Sequence, residues 1–188
     1  MNSTREIAWQ LLTQYTKGEG LIKHALAVEA AMQAYAHNFK EDQQQWGICG
    51  LLHDFDYEQN PHPKDHPRVG AKILRELGYP EDMIYAIKAH ADHMKLERKS
   101  RMDKALFAVD ELCGFLTAVT LVRPGKNIAD VPVKSVKKKL KDKAFARSVS
   151  RDDIYSGASE LGVDLDEHIA FVRDAMTRVA EELGLSGH

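Results

Sequence analysis

An imidazole stands beside a carboxylate at His53-Asp54, closing the apolar run Trp46-Gly-Ile-Cys-Gly-Leu-Leu52. Such a pair is poor core material, because a buried ion without partners is costly. It is good material for holding a cation. Helical spacing says which other side chains could join it. His24 precedes Val28, Ala31 and Tyr35 by four, seven and eleven residues and so shares their inward face. His53 lies on the stripe of Trp46, Cys49 and Gly50. His66 goes with Val69, Ile73 and Leu77, His90 with Met83 and Ile87, and Asp110 with Leu106, Cys113 and Thr117. Five helices would each turn a polar group inward among apolar residues, and a bound metal would compensate all of them at once.

Imidazole and carboxylate without thiolate suit iron, manganese, zinc, nickel or cobalt. The set His24, His53, Asp54, His66, His90 and Asp110 is too large for one catalytic ion that keeps an open position. It suits two divalent transition-metal ions sharing the Asp54 carboxylate. One would take His24, His53 and Asp110, the other His66 and His90, with water or hydroxide in the bridge. No organic cofactor is implied. Asp54, Asp56 and His93 are the expected catalytic residues. Asp56, two residues past Asp54, could support a ligand or act as general acid. His93, one turn beyond His90, could touch phosphate or donate a proton. Lys88, Lys95, Arg98 and Arg123 read mostly as solvated side chains, with anchoring of an anionic group as the minority reading. His37, His62, His168 and His188 read as surface residues.

These side chains require an all-α scaffold, and nearly every segment has helical period. Ser3 to Glu6 reads as a capping box ahead of the stripe Ile7, Leu11, Leu12 and Tyr15. Further helices are predicted over 21–37, from Asp42 to His53, near 67–77, over 81–93 and over 101–122. Residues 57–65, rich in Pro, Asn and His, form a loop. Ser150 and Asp164 read as caps of two last helices, the final one striped by Ile169, Val172, Met176, Val179 and Leu183. The expectation is an all-α bundle of eight or nine helices. Residues 1–127 would carry the metal-binding domain, and 128–188 would pack on it as a C-terminal lobe.

Composition excludes several classes. The chain has 188 residues with a net charge of -2, which gives no basic field for nucleic acid. The six lysines between Lys134 and Lys143 read as a solvated helix face. Asp110 and Glu111 interrupt the longest apolar stretch, Ala105 to Val122, which argues against a membrane span. The N-terminus lacks a signal-peptide core, and Cys49 and Cys113 make no disulfide framework. A cytoplasmic protein is expected, with no nucleic-acid or membrane partner.

The order His24, His53-Asp54, Asp110 resembles the H…HD…D signature of the HD-domain metal-dependent phosphohydrolase superfamily. His66 and His90 match the extra histidines of its dinuclear, HDIG-like branch. The runs Asp65-His-Pro-Arg-Val-Gly-Ala-Lys-Ile-Leu74 and Ile87-Lys-Ala-His90 are similar to that branch in spacing and pattern, and the resemblance spans roughly residues 20–120. It implies an α-helical bundle and hydrolysis of a phosphate ester, of a small metabolite or a nucleotide, through a metal-bridging hydroxide. The pair continues Phe55-Asp56-Tyr57 where the cyclic-dinucleotide phosphodiesterases continue Ile-Gly-Lys. The chain therefore does not resemble a dedicated cyclic-di-GMP enzyme. The superfamily also holds mixed-valent di-iron oxygenases of the myo-inositol oxygenase type, with the same ligand order. In those the last aspartate usually lies much further on than the 20 residues from His90 to Asp110, which favours hydrolysis. A non-enzymatic metal-bound signalling module is the third reading; the complete ligand set argues against it.

Overall fold

Side-chain caps set where the helices begin. The structure is a computed structural model that describes residues 4–187. Ser3 and His188 therefore lie outside the described residues. Thr4 caps α1 (Arg5–Tyr15), its Oγ1 accepting the Ile7 N–H. Asp42 caps α3 (Gln43–Leu52) through the Gln44 and Gln45 N–H groups. Ser100 and Asp103 form a reciprocal capping box at the start of α6 (Arg101–Leu121). Ser150 caps α8 (Arg151–Leu161) and Asp164 caps α9 (Leu165–Thr177). The remaining helices are α2 (Glu19–Phe39), α4 (Arg68–Glu76), α5 (Glu81–Ala89), α7 (Val133–Leu140) and the single turn α10 (Ala180–Leu183). Among the described residues there are ten α-helices, two 3-10 turns and no strand, so the all-α expectation holds with one short helix more.

The two 21-residue helices, α2 and α6, are the spine. α3 lies backbone to backbone on α2: a Cβ at Gly50 would stand 2.8 Å from the Val28 carbonyl oxygen and 3.0 Å from Glu29 Cα. That approach brings the end of α3, and with it His53, against the face of α2 that carries His24. α5 packs on α3, α4 and α6, while α8 and α9 pack on α6. One apolar core runs from Ala8 to Leu185.

Four expectations are corrected. The fifth helix ends at Ala89, not His93: Ala91 is extended and Asp92–Met94 form a 3-10 turn. His66 is not on the fourth helix. It precedes Pro67, whose ring drives the residue before it away from helical backbone, and the buried face of α4 is Gly70, Ala71 and Leu74 rather than Val69, Ile73 and Leu77. The last apolar stripe is broken between Thr177 and Ala180, because periodicity reports a shared face and not a continuous backbone. His168 is buried, not on the surface. It stands four and seven residues before Val172 and Ala175 on the inward face of α9. Its Nε2–H donates to the Ala108 carbonyl (2.9 Å), and its Nδ1 accepts the Tyr35 hydroxyl (2.6 Å). Burial holds this imidazole below its ordinary pKa, against the opposing Ala108 bond, so it stays neutral.

Candidate metal centre

Helix ends aim two of the histidines, and a carboxylate aims a third. His53 caps the C-terminus of α3 and donates its Nδ1–H to the Gly50 carbonyl three residues back (2.7 Å). His90 does the same at the end of α5, donating to the Ile87 carbonyl (2.5 Å). Each ring satisfies an otherwise unpaired terminal carbonyl and, when neutral, is thereby fixed as the tautomer whose Nε2 is bare. His66 reaches that tautomer differently, its Nδ1–H donating to Asp56 Oδ1 at 2.9 Å. The second Asp56 oxygen accepts the Gly70 N–H (2.8 Å), and a Cβ at Gly70 would collide with this carboxylate at 2.8 Å.

The bare nitrogens converge on two carboxylates. His53 Nε2 lies 3.6 Å from Asp54 Oδ2 and 3.3 Å from Asp110 Oδ1. His66 and His90 bring Nε2 to 3.2 and 3.3 Å from Asp54 Oδ1. His24 Nε2 is 2.9 Å from Asp110 Oδ1. Two groups of three donors each fall within 4.8 Å: His24, His53 and Asp110, and His53, Asp54 and His90. The structure thus brings together all six expected ligands from α2, α6, the ends of α3 and α5, and the turn before α4. It places His53 in both trios and Asp54 in one, with His66 against the same Asp54 oxygen.

Electrostatics and satisfaction both fit a cation here. His53 Nε2 and Asp54 Oδ1 are buried without a hydrogen-bond partner, a costly state for polar atoms unless something else engages them. Burial would raise the Asp54 pKa, but the His53 charge and the His66 and His90 contacts outweigh it and hold the carboxyl well below its usual range. Asp110 is likewise held low, by His53 and His24 against burial. The imidazoles respond in kind. Burial opposes their charge, yet Asp54 and Asp110 raise His53 and His90, and Asp54 with Asp56 raise His66 to about 9. Positive charge is wanted at this point, and protons supply it when nothing else does. Two carboxylates and four imidazoles without thiolate are the donor set of a borderline transition metal.

His24, Asp54, His66, His90 and Asp110 open onto a cavity of about 430 Å³, with His53 behind them. His93 lines it and donates Nε2–H to the His66 carbonyl (2.9 Å). Asp56 does not line it. None of Lys88, Lys95, Arg98 and Arg123 lines it either. Arg98 is a clamp: its guanidinium binds both oxygens of Glu160 (2.8 Å each), Asp92 (2.9 Å) and the Ala89 carbonyl (3.0 Å), over the Phe107 ring.

The far wall was not legible as a site. Ser148, Val149 and Asp153 come from the C-terminal third, which carries no motif. Glu111 faces the cavity beside Asp110 and accepts the Ser150 N–H at 3.1 Å. Burial, then the Asp110 charge, pushes it to about 7. The only available signal for Glu111 was its adjacency to a ligand within an apolar run.

An all-α bundle closing four imidazoles and two carboxylates around a partly buried cavity defines a metal-binding helical domain. The chain belongs to the HD domain family, whose model matches residues 21–115 and so contains all six ligands. Divalent-metal-dependent hydrolysis is the general activity of that family. Among curated proteins the chain is similar to Ribonuclease Y of Desulfotalea psychrophila, 28% identical over 72% of this chain and 26% of that protein. It is also similar to an uncharacterised protein of Methanocaldococcus jannaschii, 34% identical over 38% of this chain and 45% of that one. The chain thus spans less than half the length of either relative. No solved structure matches it. No described helix is long and apolar enough to cross a membrane.

Proposed function

We propose that the protein is a metal-dependent phosphohydrolase that cleaves a phosphate ester of a small metabolite or nucleotide. The observation that carries this is the pair of unpartnered buried atoms, His53 Nε2 and Asp54 Oδ1, behind an open cavity. Two divalent cations held by His24, His53, Asp54, His66, His90 and Asp110 would supply charge balance for a phosphoryl group and an acidified water. No lysine or arginine lines the cavity, so the six ligand side chains must gather the positive charge that a phosphate requires. The Asp54 carboxylate has the Nε2 atoms of His53, His66 and His90 within 3.6 Å and is the residue expected to link the two sites. Asp56 has both oxygens engaged away from the cavity, so its role is to orient His66 rather than to donate a proton. His93 borders the cavity and is the candidate proton donor to the leaving oxygen. The relative named as a ribonuclease supports phosphate-ester chemistry.

The test is a phosphate-release screen over sugar phosphates and nucleotides. Anaerobically purified protein receives each of Mn, Fe, Zn, Ni and Co in turn. Release that requires added metal and vanishes in His53→Ala supports the reading. No release across the panel with metal bound, or release undiminished in His53→Ala, contradicts it.

A further inference from the structure

A second cavity, of about 290 Å³, lies between α2, α6 and α10, with Leu121, Leu183 and Leu185 in its walls. It shares two lining residues with the metal-site cavity, His24 and Gly114. Asp110, Gly114, Thr117 and Leu121 follow one another at helical spacing along a single face of α6. That face leads from the metal ligands into the leucine-walled cavity over roughly 16 Å, at 1.5 Å per residue. Among the described residues no carboxylate lines the second cavity, and the one ammonium that does, Lys23, pairs with Glu19 at 2.6 Å.

Gly114 lines both cavities, inside a long helix. Glycine is the least favourable interior helix residue after proline, so its presence calls for a reason. At Gly50 and Gly70 the reason is contact: a Cβ would collide with its neighbours. At Gly114 a Cβ would meet nothing within 4 Å. A side chain there would enter open space beside both cavities.

We propose that Gly114 keeps open a passage for the substrate, and that the substrate is a phosphomonoester whose leaving alcohol carries an extended apolar arm. The phosphate lies against the six ligands, and the arm crosses Gly114 into the pocket of Leu121, Leu183 and Leu185. The phosphate end of this assignment rests on the hydrolase reading; the arm rests on the shape and chemistry of the groove.

The experiment is calorimetric binding of methyl-, butyl- and hexylphosphonate to the manganese-loaded full chain. Affinity should rise about fourfold per added methylene, the ~0.8 kcal/mol of burying one, until the pocket is filled. Gly114→Leu should cut the hexyl-to-methyl affinity ratio at least tenfold. A flat wild-type series, absence of phosphonate binding, or an unchanged ratio in Gly114→Leu overturns the proposal. Gly114→Ala serves as the folding control. It should reduce the ratio while melting about 2–4 °C higher, because alanine is the better helix residue. A lower melting temperature would show that the position is packed and would overturn the passage. Turnover of the matching alkyl phosphates separates the two readings. Graded binding without phosphate release supports the groove and removes hydrolysis; release without gradation removes the groove and leaves hydrolysis.

Discussion

Asp56 holds the Nδ1–H of His66 at 2.9 Å while its other oxygen takes the Gly70 N–H at 2.8 Å. The carboxylate thus fixes the tautomer of one ligand and ties it to the first turn of α4. Asp56→Asn keeps the shape but supplies one acceptor where two are needed, so one donor is left buried and unpaired. Metal affinity should fall about 10–100-fold, the usual cost of losing such an outer partner. Titration of the metal-free protein checks this. An unchanged affinity would mean that Asp56 does not orient His66.

The protonation of the cluster gives a pH prediction. His66 titrates at about 9 in the folded chain, against about 6.5 for an unperturbed histidine. Between those values the folded state holds a proton that the unfolded state has released. The stabilisation is therefore complete below pH 6.5 and is lost as pH rises through 9. Metal-free protein should melt at progressively lower temperature from pH 6.5 to 9.5, with His66 alone contributing a loss of roughly 3 kcal/mol. Metal binding should move oppositely and tighten with rising pH, since only the neutral imidazole is a ligand. Melting curves with and without added metal at several pH values read both trends.

His168 should matter for stability in a way an exposed histidine does not. Its replacement by leucine would leave the Tyr35 hydroxyl buried and unpaired and would remove the second bond on the Ala108 carbonyl, which keeps its partner within α6. About 1–3 kcal/mol should be lost, read as a melting temperature lower by roughly 2–12 °C. His37→Ala, at an exposed position, should change stability by less than about 0.5 kcal/mol. Equal effects of the two variants would contradict the buried network.

What the sequence made legible follows from which signals are local. The caps Asp42, Ser100, Ser150 and Asp164 announce helix starts because a short polar side chain satisfies N–H groups two or three residues on. The inward turn of His24 and Asp110 is visible because both sit within long, unbroken helices. His66 was assigned to the wrong element because periodicity cannot show that Pro67 excludes it from the helix. His168 was missed because a histidine on an apolar stripe declares no partner, and Tyr35 and Ala108 are 133 and 60 residues away. Glu111 and the wall at Ser148, Val149 and Asp153 form only when α8 docks on α6, a contact between distant segments that no spacing encodes. Charge alone does not make an anchor of Lys88, Lys95, Arg98 or Arg123, and Arg98 is occupied by Glu160 and Asp92.

Asp54 is the centre of the account: His53, His66 and His90 all bring Nε2 within 3.6 Å of its carboxylate. The most direct test is the metal content per chain, by elemental analysis, of wild type and Asp54→Asn purified alike. Wild type should carry about two transition-metal ions per chain, as a bridged pair requires, and Asp54→Asn should lose both together. His24→Ala and His90→Ala should each lose mainly one. Wild-type protein without stoichiometric metal, or an Asp54→Asn variant that retains its full complement, would contradict the claim that this carboxylate joins two metal sites.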